Sequence, residues 1–529
     1  MKRILIILAI FALSVGCKKA VNSVDLVNID EMKRINQELS SDKFLGRMPF
    51  TEGEKLSVSF LESELKAIGF EPAFGESYFQ NVPMVMITSS VKGDIHFNIK
   101  GKSISLKAPD QIAISSPQAN EKVAIKSSKL VFAGFGIDSE EWSWNDYGDI
   151  DLNGKTLVVM INDPGLYTGD ASLFKGREMT YYGRWTYKFE EAARKGAEAV
   201  LIIHETEGAG YDFNVPRGSS ITPRFFIDDN GATKRCAANG WLTAESAKII
   251  FSEMGYNIDS LRALSSKRGF KPFELEATFS VEIENKIVRN TSTNVAGILR
   301  GKTIPQEAVI ITAHWDHFGV GEPQNGDSIY NGAVDNGTTM AWALEIGRML
   351  KQNEEGLDRS VIILFPTAEE QGLVGSDFYA QNPVIPMENM VACLNNDMMV
   401  PRGRMKDVTM IGYGYSTLDS LYKTFAAKQD RYLLPDPNSH TGLFFRSDHF
   451  PFYKRGVPSI WAYGCYDSRE HGKEWAKASW DEFIANIYHS PADNYNPEWD
   501  WSGVAEDVAL AYDIVRELVK TNGHRPKMK

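Results

Sequence analysis

At 529 residues the chain is too long for one hydrophobic core and implies two or three domains. A hydrophobic fraction of 43% and a charged fraction of 24% are ordinary for a soluble globular protein. A net charge of −12 argues against a nucleic-acid partner, which would need a basic face.

The N-terminus is not fold. Lys2 and Arg3 precede an apolar run from Ile4 to Leu13, and Ser14-Val15-Gly16-Cys17 follows. That order is a secretory signal, and the run is too short to span a bilayer. Cys17 directly after Gly16 resembles a bacterial lipobox, although Ser14 stands where Leu is usual. The resemblance implies export, a signal over residues 1–17, and a periplasmic or outer-membrane lipoprotein whose only membrane contact is a lipid at Cys17. The other cysteines are Cys236, Cys393 and Cys465, too few and too odd a number for a disulfide framework. Cys393 sits in an apolar run and reads as a buried small hydrophobe.

Asp25 to Gly69 reads as helical: Phe60, Leu61, Leu65 and Ile68 recur at helical spacing, and Gly69 ends the run as a C-cap. Residues 70–284 change texture. Short alternating runs such as Ser103–Leu106 and Lys122–Ile125, broken by Gly, Pro, Asn and Asp, predict strands and turns. Leu157–Ile161 and Ala199–Ile203 predict buried strands, with a helix over 189–195. From Asn294 the pattern is strand, loop, helix, strand. Val309–Thr312, Val361–Phe365 and Val391–Leu394 are continuous apolar strands, Met340–Leu350 is a striped helix, and Ala505–Val519 is a terminal amphipathic helix. The alternation predicts an α/β fold, with a mixed, mostly parallel central sheet sandwiched by helices.

The chemistry sits directly after those apolar strands. His314-Trp315-Asp316-His317 follows the first, Glu369-Glu370 the second and Asn396-Asp397 the third; Asp335-Asn336-Gly337 and Tyr488-His489 complete an ordered series. In open α/β sheets, ligands bind at the carboxyl ends of strands, where residues distant in sequence meet. His and carboxylate ligands suit zinc. Two adjacent ions repel, so a bridging carboxylate and a bridging hydroxide must lie between them. Asp335 is the candidate bridge, and Asp316 the candidate acceptor that fixes the tautomer of His314. Of the paired glutamates, Glu369 is assigned as base and Glu370 as ligand. His317 reads as support for the site; His96, His204, His440, His471 and His524 read as surface or packing residues. The aromatic tract Trp475–Trp501 fits core packing as well as a pocket lining.

Six phrases in order resemble the di-zinc exopeptidases that include bacterial leucyl-type aminopeptidases, aminopeptidase Y and glutamate carboxypeptidase. They are Ala313–Gly319, Asn331–Gly337, Ala368–Leu373, Asn396-Asp397-Met398, Ser447–Phe452 and Tyr488–Asp493. The resemblance implies two zinc ions per chain, one on His314, Asp335 and Asp397, the other on Asp335, Glu370 and His489. It gives Glu369 the role of general base, leaves Asp448 and His449 off the metals, and implies peptide substrates. No ligand of the pattern is missing, which argues against a receptor-like homologue. Aminopeptidase is the expected activity, with a carboxypeptidase of glutamate carboxypeptidase type, then a glutaminyl cyclase, then a non-enzymatic binding protein as rivals. Within 70–284, Val131–Gly136, Gly154–Val159 and Ala193–Ala197 resemble an inserted protease-associated domain. The expected layout is therefore 25–69 and 285–525 as the peptidase unit around that insertion.

Overall fold

The computed structural model describes residues 22–353 and 355–529; Cys17 and the signal lie outside the described residues. Among these, no helix is long and apolar enough to cross a membrane. The helical N-terminal stretch consists of Ile29–Leu39 and Glu52–Ile68 with short 3₁₀ turns before and between them. Asn28 caps the first helix, its side chain accepting from the Glu31 N–H, and Gly69 closes the second in a left-handed conformation at φ 96°.

In the second half the apolar runs assemble into one layer. Arg359–Phe365 pairs in parallel with Ile304–Thr312, which pairs in parallel with Met390–Asn395, which pairs in parallel with Ser459–Tyr463. Asp407–Ile411 joins antiparallel to Ser459–Tyr463, and Tyr432–Pro435 lies parallel to Asp407–Ile411. Alternation along each strand sends successive side chains to opposite faces. Val309, Ile311, Val361 and Ile363 therefore meet helices Thr339–Gln352 and Ser502–Leu518 on one face. Ile310, Ile362 and Leu364 meet Tyr379, Phe452 and Val457 on the other. Burial on both faces explains why these strands read as unbroken apolar runs.

The middle region carries more helix than its turn-rich sequence announces. Lys155–Met160, Ala199–Ile203 and Ala238–Leu242 pair in parallel, with helices Trp185–Arg194 and Ala244–Glu253 between or after them. The junction also differs from the expectation. The boundary expected at 284/285 falls inside one strand of 27 residues, Phe273–Leu299. Its start pairs with Lys122–Phe132, its middle with Phe79–Val91 and its end with Arg359–Phe365. One continuous backbone ladder thus ties the middle region to the strand that delivers Glu369. Polar-apolar alternation through Glu282, Glu284 and Lys286 looks like a loop boundary in sequence, but it marks the half-exposed part of a long strand.

The aromatic tract resolves toward packing: Trp480 and Trp501 are buried in the main core, while Trp475 is exposed. Cys236, Cys393 and Cys465 are free and buried, as small hydrophobes are. Ile363 is fully buried on the central strand. Ile363→Ala should destabilise this half by about 2–5 kcal/mol, seen as a lower urea midpoint; an unchanged midpoint would contradict the two-sided packing.

Candidate metal centre

The strand ends converge as the topology requires. His314 lies two residues beyond Ile304–Thr312, Glu369 and Glu370 four and five beyond Arg359–Phe365, and Asp397 two beyond Met390–Asn395. Asp335 arrives on the turn before helix Thr339–Gln352, and His489 on the turn after helix Gly472–Asn486. Ala368 at φ 52° and His489 at φ 56° are non-glycine residues in the left-handed region. Such conformations persist only where the surroundings over-determine them, and they cluster at functional sites.

The centre of the cluster is the Asp335 carboxylate. Its Oδ1 is 3.3 Å from His314 Nε2 and its Oδ2 is 3.2 Å from His489 Nε2. Asp397 Oδ1 lies 3.5 Å from the same His314 nitrogen, and Glu370 Oε2 lies 3.3 Å from His489 Nε2. Glu369 Oε2 is farther, 3.9 Å from His314 Nε2. Despite these approaches, His314 Nε2, His489 Nε2 and Asp335 Oδ1 are buried without a hydrogen-bond partner. Buried polar atoms in folded proteins are nearly always satisfied, so orphans aimed at one point suit an ion. Donor atoms of His314, Asp335 and Glu370 fall within 4.8 Å of one another, as do those of His314, Glu369 and Asp397. Distance alone does not rank the two glutamates. Glu370 is the one that also faces His489, which suits a ligand, and Glu369 stands back, which suits a base.

Electrostatics follow from crowding acids in a dry place. Burial raises the Glu369 carboxyl well above its ordinary value, with Asp397, Glu370 and Asp448 adding to the rise against His314. Burial alone would also raise Glu370, but His489 and His317 carry it down to about 2. Burial opposes protonation of His489, yet Glu370 and Asp335 lift it to about 10. The chain alone thus leaves protons on groups that divalent ions would displace.

Each ligand is held from behind. His317 Nδ1 bonds Glu370 Oε1 at 2.7 Å, which accords with a supporting role. Asp316 departs from its expected contact. His314 Nδ1 meets the backbone carbonyl of Asp316 at 3.1 Å, while the Asp316 carboxylate is 3.7 Å away. That carboxylate instead accepts the Glu369 N–H at 2.9 Å. Asp316 is therefore a positioning residue for Glu369. Ser447, Asp448 and His449 are buried beneath Asp397, and Asn395 Nδ2 donates to Ser447 Oγ at 2.8 Å. His96 and His471 are exposed, His440 and His524 lie on other segments, and His204 contacts the Tyr211 carbonyl at 3.1 Å; none joins the cluster.

Two supports were not legible as such. The Asp493 carboxylate accepts the N–H groups of Val334 and Asp335 at 2.9 and 3.0 Å and so fixes the bridge loop. Its phrase, Ser490–Asp493, was the only signal. Arg47 is fully buried and donates to the carbonyls of Leu39, Trp315, Asn331 and Gly332 at 2.5–2.9 Å. No local pattern marks it, because three of the four partners lie 268 to 285 residues away. A Cβ at Gly332, φ 57°, would sit 2.1 Å from the Asp335 carbonyl oxygen, so only glycine fits there.

Residues 294–513 match the model of Peptidase family M28. Mouse Aminopeptidase NAALADL1 is 33% identical over 140 residues, which is 25% of this chain and 17% of that protein. A probable zinc metalloprotease of Pyricularia oryzae is 29% identical over 107 residues, 20% of this chain and 21% of that protein. The match thus spans about a fifth of the length of these curated relatives. Among solved structures, the aminopeptidase from Aneurinibacillus sp. strain AM-1 is 18% identical, covering 93% of this chain and 94% of that one, with a TM-score of 0.49. The family match bears out the resemblance to di-zinc exopeptidases over residues 294–513.

Asp493→Ala should lower zinc affinity about 10–100-fold, as loss of outer-shell support does elsewhere. Competition with a chelator of known affinity reads this directly; unchanged affinity would remove Asp493 from the support of the bridge.

Proposed function

We propose that the chain is an exported zinc-dependent exopeptidase and that it acts as an aminopeptidase on peptides. The observation that carries the reading is one buried carboxylate, Asp335, with His314 and His489 against its two oxygens. His314, Asp335 and Asp397 would hold one ion, and Asp335, Glu370 and His489 the other. Zinc so held supplies Lewis acidity to a peptide carbonyl and lowers the pKa of water. Glu369 takes a proton from the attacking water and returns it to the departing amine nitrogen. Its raised carboxyl must first lose its own proton, and the charge of bound dications favours that loss. Asp316, by accepting the Glu369 N–H, keeps the base aimed at the cluster.

The family match over 294–513 and the printed names of the curated relatives support peptide hydrolysis. The lipobox-like segment ending at Cys17 supports export and lipid anchoring in the bacterial envelope. The middle region, 70–284, is read as a protease-associated insertion that modulates substrate access. A carboxypeptidase acting on acidic C-terminal residues uses the same ligand set and is the second reading.

Glu369→Gln should lower kcat about 10²–10⁴-fold with zinc content unchanged; retained turnover would refute the base. A peptide mixture with free and acetylated N-termini, followed by mass spectrometry, separates the readings. Stepwise loss from free N-termini alone, blocked by a chelator, is the expected outcome. Loss from C-termini would move the assignment to a carboxypeptidase.

A further inference from the structure

Of the residues gathered at the metal centre, His489 is the one that meets solvent. Its side chain is 35% exposed, against 8% or less for His314, Asp335, Glu369, Glu370 and Asp397. The opening of the centre therefore lies on the His489 side. The half-buried Phe318 ring stands there, its centre 4.6 Å from that of His489 and 4.9 Å from that of His317.

One residue further on, the chain leaves the protein body as a hairpin. Strand Gly319–Gln324 runs out, and Asp327–Tyr330 returns antiparallel to it. Among the described residues the pair joins no other strand. Its base is fixed. A Cβ on Gly46 would come 2.6 Å from the Tyr330 carbonyl oxygen and closer still to that of Gly319, so the N-terminal turn lies tight beneath it. Asn331 Nδ2 donates to Asp42 Oδ1 at 2.8 Å and to Asn494 Oδ1 at 2.7 Å, which ties the hairpin to the segment that follows His489.

The outgoing strand is open to solvent beyond Gly319, and Val320 is 59% exposed. Val320 lies two residues past Phe318, so alternation puts the two on one face. At about 3.3 Å per residue, it stands two residue lengths out from the rim of the metal centre. The outer edge of a hairpin strand carries N–H and C=O groups without ladder partners. An extended polypeptide satisfies them as a third strand, whatever its side chains. Pro323 has no N–H, and the ladder is irregular between Val320 and Gln324, so the usable edge is Gly319–Glu322. An edge of that length takes about two or three substrate residues. We propose that Gly319–Glu322 is a docking edge for the substrate main chain beyond the scissile bond, with Val320 as its apolar contact. The proposal rests on the exopeptidase reading.

Nested peptides test it on the zinc-loaded full chain. One ladder, from dipeptide to hexapeptide, has amidated C-termini; a second has acetylated N-termini. In the ladder that is cleaved, kcat/KM should rise about tenfold from dipeptide to tetrapeptide, the size of one or two main-chain hydrogen bonds, and then level off. N-methylation of one main-chain amide beyond the scissile bond should cancel most of the gain, while N-methylation of its neighbour should not, because alternate residues face the edge. Val320→Asp should move the tetrapeptide-to-dipeptide ratio toward one, and Val320→Ile should keep it. The N-methyl peptides carry the test without any variant. No rise with length, or equal loss at both N-methyl positions, overturns the edge and leaves the peptidase reading intact. A dimer that Val320→Asp splits into monomers, with the length gain unchanged, also overturns it and assigns the edge to a second copy of the chain. Cleavage of neither ladder sinks the peptidase reading. The edge then stands only if calorimetry shows the hexapeptide binding and the same single N-methyl group weakening it, and falls otherwise.

Discussion

The Asp335 carboxylate has an imidazole at each oxygen, and most of the site is arranged to keep it there. His314 comes from the end of a central strand, His489 from a turn after a late helix, and Asp335 from the start of another helix. Around them Asp316, Asp397 and Asp448 are buried and Glu369 nearly so, more negative charge than the nearby histidines and Arg47 can balance. Like charges in a dry site repel far more strongly than in water. Protonation relieves part of this in the bare chain, which is why Glu369 is pushed up by burial and by its acidic neighbours. Dications relieve it more fully, and ion binding to such a site is linked to folding stability.

Holding that carboxylate requires contacts of long sequence range. Arg47, from the N-terminal helical stretch, gathers the carbonyls of Trp315, Asn331 and Gly332 from the loops that carry His314 and Asp335, and that of Leu39 from the end of the first helix. Asp493 clasps the bridge loop by two backbone N–H groups, four residues after His489. The strand Phe273–Leu299 carries the ladder from the middle region to the strand before Glu369. Phe225, from that middle region, packs with Ala368 and Val374 on either side of the glutamate pair. The middle region is therefore mechanically continuous with the strand that precedes the base.

What was legible in the sequence follows from how locally it is encoded. Val309–Thr312, Val361–Phe365 and Val391–Leu394 announced buried strands because both faces are covered, and each is extended by only a few residues in the fold. The ligand residue types announced themselves because each sits just beyond such a strand or in a distinctive phrase. Arg47 was silent, since its role is defined by carbonyls with no side-chain signature. Asp316 was assigned the right neighbourhood and the wrong acceptor atom, because a carbonyl and a carboxylate of one residue are not separable by spacing. The 27-residue strand was missed where its middle turns half-exposed and mimics a linker.

Metal analysis of Asp335→Asn beside Asp397→Asn tests the shared carboxylate most directly. Mass spectrometry of the purified, folded chains gives zinc per chain. If Asp335 bridges, its variant loses both equivalents while the Asp397 variant keeps one. Retention of a full equivalent by Asp335→Asn, with the fold intact, would contradict the bridge and the two-metal account built on it.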